Sequence, residues 1–421
     1  MPTAKTAQTT KTTKTTKPAK PANPTAPLKP AQSSQAPDIL IVGAGLYGLT
    51  LAERIATQLH RRVLLIDRRS HIGGNCYSAF DPETGIECHQ YGAHLFHTSD
   101  EAVWSYVNQF TTFTNYVHKV YTTHHGEVFP LPINLGTINQ FFHAAYTPAE
   151  ARTLIAEQAQ SAPAHPQNLA EQGISLIGQP LFDAFIKNYT AKQWQTPAEE
   201  LSPDIIKRLP VRYTYDNRYF NNTHEGLPTD GYEAWFKNML KSGGDLIEVR
   251  LDTDYFTDPA IQALRSTQPL TIFTGPIDQY FDYRFGELKW RSLTLEKEVL
   301  DVDDFQGCPV MNYADLEPTY TRIHEFKHFH PERHTDCYAP DSGKTVIVRE
   351  YSKTWHRGDE PYYPVNTADD RAKLAQYQAL AAETPNLIFG GRLGAYAYFD
   401  MDQTIAAALA QFATLKSRLN A

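Results

Sequence analysis

The chain has 421 residues, of which 41% are apolar, 12% aromatic and 20% charged, enough for two or three domains with substantial cores. Residues 1–36 hold six lysines and no acidic residue, so the remainder carries 33 basic against 47 acidic side chains; a body this acidic repels polyphosphate backbones and excludes general nucleic-acid binding. No apolar run approaches the roughly 18 residues of a membrane span.

Residues 1–36 are mostly Thr, Lys, Pro and Ala, with Leu28 the one large aliphatic side chain besides Met1. That composition suits a disordered leader and lacks the apolar core of a secretory signal. Cys76, Cys88, Cys308 and Cys337 form no C-x-x-C, so reduced thiols in a cytoplasmic protein are expected.

Order begins at Asp38. An apolar run at 39–42, the turn Gly43-Ala44-Gly45-Leu46-Tyr47-Gly48, a helix over 49–59, a second apolar run at 63–66 and then Asp67 read as strand, glycine turn, helix, strand, acid. Gly43 permits the tight turn, Gly45 lets a pyrophosphate approach the helix N-terminus, Gly48 lets helix and strand pack, and Asp67 can accept from ribose hydroxyls. The second pair, Gly73-Gly74, followed by Asn75, favours the extended cofactor FAD over a nicotinamide dinucleotide, with a plain glycine loop as the other reading.

Farther on, 119–123 and 127–129 form a hairpin around His124-His125-Gly126. Residues 135–208 are expected to be helical, with Pro148, Pro180, Pro197 and Pro203 marking starts or breaks. Strands are expected at 247–251, 271–274, 290–298, 320–329 and 345–351, forming a second sheet over the cofactor, and 386–394 with a helix from Asp402 restores an α/β pattern. The expected fold is α/β: a Rossmann-like FAD-binding domain (37–115 and 365–421, with part of 240–290), an inserted helical domain (134–208) and an antiparallel β-sheet domain (116–133, 209–240 and 290–364).

The segments Gly92-Ala93-His94-Leu95-Phe96-His97-Thr98, Asn188-Tyr189-Thr190-Ala191-Lys192-Gln193-Trp194, Lys207-Arg208-Leu209-Pro210, Thr274-Gly275-Pro276-Ile277-Asp278, Tyr320-Thr321-Arg322, Pro361-Tyr362-Tyr363-Pro364 and Gly391-Arg392-Leu393-Gly394 run in order along the chain. Together they resemble the prokaryotic UDP-galactopyranose mutases. The resemblance implies interconversion of UDP-galactopyranose and UDP-galactofuranose, with N5 of reduced FAD as nucleophile on the anomeric carbon and UDP as leaving group. It places Arg208 and Arg322 on the diphosphate, Tyr189, Tyr219, Asn312, Tyr363 and Tyr398 around diphosphate and sugar, Phe185 and Trp194 on the uridine, and His94 and His97 beside the flavin. Tyr47, Arg68, Val249, Arg392, Asp400 and Met401 join the glycines, Asp67 and Asn75 around FAD.

The resemblance further implies an external reductant such as NAD(P)H, a homodimer, and galactofuranose supply for a surface polysaccharide. No metal is expected, although His124-His125 and the histidines at 324, 328, 330 and 334, which would share one face of a strand, raise the thought. His118 stands where the family suggests Asn, and Phe273 where Tyr is commoner. Between Trp194 and Arg208 two prolines, each after a hydroxyl residue, break the chain into short capped pieces, a lid that UDP could pull over the flavin. The rival readings are an FAD oxidoreductase of the amine-oxidase type and a non-catalytic flavin- or nucleotide-sugar-binding regulator.

Overall fold

The computed structural model describes residues 36–206, 210–333 and 343–420. The leader up to residue 35, Arg208, His334 and Cys337 lie outside the described residues. Two sheets and a helical insertion organise the rest.

Ile39–Val42 and Val63–Ile66 are almost wholly buried apolar runs that pair in parallel, joined by the helix Leu46–Leu59. Strands hidden on both faces need no polar alternation, which is why these runs are continuous. Leu270–Phe273 pairs with the other side of Ile39–Val42, Leu387–Phe389 lies beyond it, and Ile247–Arg250 pairs with Val63–Ile66. The result is one five-stranded parallel sheet in the order 387–389, 270–273, 39–42, 63–66, 247–250. The expectation that 247–251 and 271–274 join the second sheet is therefore corrected, and these strands instead fall in the Rossmann-like domain, in keeping with its expected share of 240–290; strand propensity says nothing about partners that lie some 200 residues away.

The helix Tyr232–Ser242 leads into strand 247–250. Its Tyr232, Trp235, Phe236 and Met239 fall on one helical face and are buried in the core shared with Leu46–Leu59, so this part of 209–240 packs with the parallel sheet and not with the antiparallel one. The last helix, Met401–Asn420, also packs on Leu46–Leu59.

The second sheet has seven strands in the order Tyr363–Pro364, Trp290–Leu300, Thr345–Thr354, Arg322–Glu325, Val310–Tyr313, Val120–His124, Glu127–Leu131. Neighbours are antiparallel except Val310–Tyr313 and Val120–His124, which run parallel. The strand expected over 320–329 ends at Glu325 and gives way to a 3-10 turn, Phe326–Phe329, because both phenylalanines turn into the core. The histidines expected on one strand face consequently separate: His324 meets Glu350, His328 meets Asp304, and His330 meets Glu332.

The helical insertion has its own core of Ile138, Ile155, Ile177, Leu181, Phe182 and Phe185. Its helices start where the side chains can cap them: Asn134 and Thr147 each form a reciprocal capping box, the latter with Pro148 in the first turn, and Asn168 caps Leu169–Phe182. Gly178, with φ 76, breaks this stretch into two helical pieces, and Pro180 falls in the first turn of the second, in keeping with the expected start or break there. A π-turn, Asp183–Lys187, carries Phe185 and leads into the seven-residue helix Asn188–Trp194. Beyond Trp194 the chain is broken into 3-10 turns at Ala198–Glu200 and Pro203–Ile205, the second capped by Ser202. Among the described residues no helix is long and apolar enough to cross a membrane.

Candidate active site

The glycine turn closes as its residue types require. Gly43 has φ +107, and a Cβ there would stand 2.0 Å from Thr274 Oγ1; a Cβ on Gly48 would stand 2.0 Å from the Gly43 carbonyl oxygen. Gly45 begins the helix Leu46–Leu59 with no side chain capping it, so the first amides of a 14-residue helix are left unspent. The second glycine pair lies against the first: Gly73 N–H donates to the Ala44 carbonyl (2.7 Å), and a Cβ on Gly74 (φ +58) would meet the Gly45 Cα at 3.0 Å. Asp67 locks the loop by accepting from the amides of Ala44 (2.7 Å) and Arg69 (2.9 Å), a role beyond the ribose contact expected of it. Arg392 projects from the short helix Gly391–Gly394; it donates to the Tyr362 carbonyl through Nη2, while its buried Nε has no partner. A side-chain-free cradle, open helix amides and an unspent guanidinium N–H fit a dinucleotide.

At the opposite end, neighbouring strands bring Arg322 and Glu350 into register. Arg322 donates to the Tyr189 hydroxyl (2.6 Å) and its Nε lies 3.3 Å from Glu350 Oε1, while His324 Nε2 is 3.1 Å from Oε2. Burial would push the Glu350 carboxyl up, but Arg322 and His324 hold it down at about 2. Arg322 is raised well above its ordinary value: burial opposes its charge, and Glu350 together with Tyr189, Tyr363 and Tyr219 more than offsets that. Burial lifts Tyr189 to about 12 and also raises Tyr363. The Asn312 Oδ1 is buried without a partner. His94 Nδ1 pairs with the Gly92 carbonyl (2.8 Å) and His118 Nδ1 with the Tyr116 hydroxyl (2.9 Å). Burial, helped by neighbouring cations and imidazoles, lowers His94 to about 4 and His118 to about 3, so both are neutral near pH 7.

One cavity of about 1590 Å³ joins these two ends, larger than the roughly 300–1,000 Å³ usual for a single small-molecule pocket. All the residues expected at the site line it except two: Val249 is packed in the core beside Leu65, and Arg208 lies outside the described residues. His97 stacks on Phe220 (3.7 Å) and bonds Asn222, and Tyr363 stacks on Tyr398 (5.7 Å). Trp194 and Phe185 reach the cavity from the helical insertion, and so do Ser202, Asp204 and Ile205 from the turns beyond it. Sequence reasoning missed Arg69, whose guanidinium lies over Tyr91 (4.2 Å) and pairs with Glu360, and Glu350 behind Arg322. Strand register brings Glu350 to Arg322, and Glu360 reaches Arg69 from a loop 291 residues away, so neither contact could be seen in the local sequence.

The sequence model of the UDP-galactopyranose mutase family matches residues 184–398, and that of the NAD(P)-binding Rossmann-like domain matches 41–110. A probable UDP-galactopyranose mutase of Klebsiella pneumoniae is 42% identical over 373 residues, which is 88% of this chain and 93% of that protein. The chain belongs to the UDP-galactopyranose mutase family. A dTDP-fucopyranose mutase of Escherichia coli is 39% identical over 373 residues, 88% of this chain and 96% of that one. A crystal structure of reduced UDP-galactopyranose mutase superposes with a TM-score of 0.68 at 14% identity, covering 91% of this chain and 94% of that chain, which supports the shared fold. Family membership makes the chain an isomerase and displaces both the amine-oxidase and the non-catalytic reading.

Proposed function

We propose that the protein interconverts UDP-galactopyranose and UDP-galactofuranose with FAD as its cofactor. The observation that carries this reading is the continuous cavity running from the uncapped glycine loop to the half-buried Arg322–Tyr189 pair. The two glycine pairs, Asp67 and Arg392 would hold FAD, which when reduced supplies the electron pair at N5 for the anomeric carbon.

The protein's part is charge and position. As UDP departs, negative charge grows on the diphosphate, and Arg322 is already matched by Glu350. A dianionic group in this cavity therefore needs a second cation, the role proposed for Arg208. Tyr189 orients the Arg322 guanidinium through its hydroxyl. His94 spends Nδ1 on the Gly92 carbonyl, so Nε2 of a neutral imidazole can accept a hydrogen bond from a sugar hydroxyl and orient it. Phe185 and Trp194 would flank the uracil, and the broken segment after Trp194 would close over the site and exclude water.

The deciding assay offers UDP-galactofuranose to the protein after reduction by dithionite and follows UDP-galactopyranose, with dTDP-fucofuranose in parallel. Conversion of the UDP sugar only after reduction is expected. Equal turnover by the oxidised protein would overturn the cofactor role, and exclusive turnover of the dTDP sugar would assign the other substrate. NAD(P)H as reductant, a homodimer, a cytoplasmic location and supply of galactofuranose to a surface polysaccharide belong to the same proposal.

A further inference from the structure

The helix Asn188–Trp194 carries Tyr189 and Trp194 to the cavity, yet it is poorly anchored along its own length. It has only seven residues, continues from a π-turn, and ends at Gln195 in the left-handed region (φ 50) before the chain breaks into 3-10 turns. A helix this short has little stability of its own, so its place over the sheet must be set by side chains. Gln193 and Gln195 bond Ser352 at its C-terminal end. On the face of Tyr189, one turn along, stands Lys192.

Lys192 Nζ spends all three of its hydrogens on one loop, donating to the carbonyls of Tyr313 (2.8 Å), Pro318 (2.9 Å) and Tyr320 (3.0 Å). That loop is fastened to the sheet at both ends: Tyr313 N–H donates to the Thr321 carbonyl, Ala314 N–H to Thr123 and Thr321 N–H to Glu350. It joins the strand bearing Asn312 to the strand bearing Arg322. The carbonyl ring is thus a fixed socket and the helix is the part that needs fixing. Burial lowers the amine to about 8 while Asp315 and Glu317 favour its charge, so near neutral pH it remains an ammonium with three donors.

We propose that Lys192 is a positioning residue, a clasp that sets the helix carrying Tyr189 and Trp194 at a fixed height over Arg322 so that one nucleotide diphosphate can engage both sides at once. The inference rests on the substrate reading above. A ligand that bridges two surfaces gains affinity from their fixed separation, whereas a ligand held by one surface does not. Without the clasp, the continuous run 183–194 can shift as a unit with Phe185 and Trp194, keeping its own face intact while losing alignment with Arg322.

Calorimetric titration of the FAD-loaded protein with UDP and with uridine tests this. For Lys192→Met, the affinity for UDP is expected to fall tenfold or more and that for uridine to stay within twofold, with Lys192→Arg retaining most of the UDP affinity. A loss shared equally by the two ligands would show a merely structural lysine, and an unchanged UDP affinity would show no role; either overturns the proposal. Should Lys192→Met not fold, Lys192→Gln, which keeps two donors without the charge, is read by the same ratio. A wild-type protein that binds no UDP would defeat the substrate reading instead.

Discussion

Lowering the pH from about 7.5 to about 4.5 during urea unfolding of the cofactor-free protein should expose the cost of its neutral imidazoles. His94 and His118 titrate at about 4 and about 3 when folded, against an ordinary value of 6.5, because burial disfavours their charged forms. Between those limits the unfolded chain holds a proton on each that the folded chain does not, so stability falls as pH drops below 6.5. At pH near 4.5 each has lost roughly 2.5 kcal/mol, about 5 kcal/mol together, comparable to the whole stability of many domains. These two imidazoles contribute about 2.7 kcal/mol per pH unit at the steepest, the signature of two protons; His89 and His71, also held low by burial, add to that slope, and His328, Glu225 and Asp278, all held above their ordinary values, subtract from it. Glu350 has the opposite arrangement: its depressed carboxyl contributes stability above pH 4.5 that is lost on the way to about 2, below this window. His118→Asn, with an amide oxygen to accept from Tyr116, should remove one proton's share of the slope, about 1.4 kcal/mol per pH unit. Equal slopes for the wild type and His118→Asn between about pH 6 and about 4.5 would refute the neutral imidazole at 118.

Arg322→Ala should lower kcat by a hundredfold or more, about 3 kcal/mol, while flavin absorbance shows the cofactor still bound; loss of the flavin would make the arginine structural. The same variant takes the guanidinium away from the Glu350 carboxylate and leaves it His324, so inhibition by UDP should weaken as well. Gly48→Ala drives a Cβ into the Gly43 carbonyl and should abolish cofactor retention after gel filtration, with near-wild-type circular dichroism. UDP should change tryptophan fluorescence and protect residues 195–206 from proteolysis, and Trp194→Phe should erase the optical signal; tight UDP binding with neither change would exclude a lid.

The local half of this structure was legible because its causes are local. Gly43 and Gly48 stand where sterics leave no alternative, and Asn134, Thr147 and Ser202 announce the helical starts they cap. The nonlocal half was not. Nothing in residues 247–250 or 270–273 distinguishes a parallel partner of Ile39–Val42 or Val63–Ile66 from a strand of the other sheet. Glu350 and Glu360 look like surface acids in sequence, yet one sits behind Arg322 and the other clamps Arg68 and Arg69. Lys192 was visible only as one letter of a motif, and its meaning lies in three carbonyls more than a hundred residues away.

The parallel sheet is assembled from the beginning, the middle and the end of the chain. Its strands at 39–42 and 63–66 are synthesised long before 270–273 and 387–389, and the helix 401–420 that covers Leu46–Leu59 comes last of all. During translation the nucleotide cradle therefore waits with apolar edges unpaired while the helical insertion, whose contacts are short in sequence, can condense early. A ribosome stalled before residue 387 should therefore hold a chain with a formed insertion and an open sheet, closure of the sheet by its last strand and helix being expected to follow.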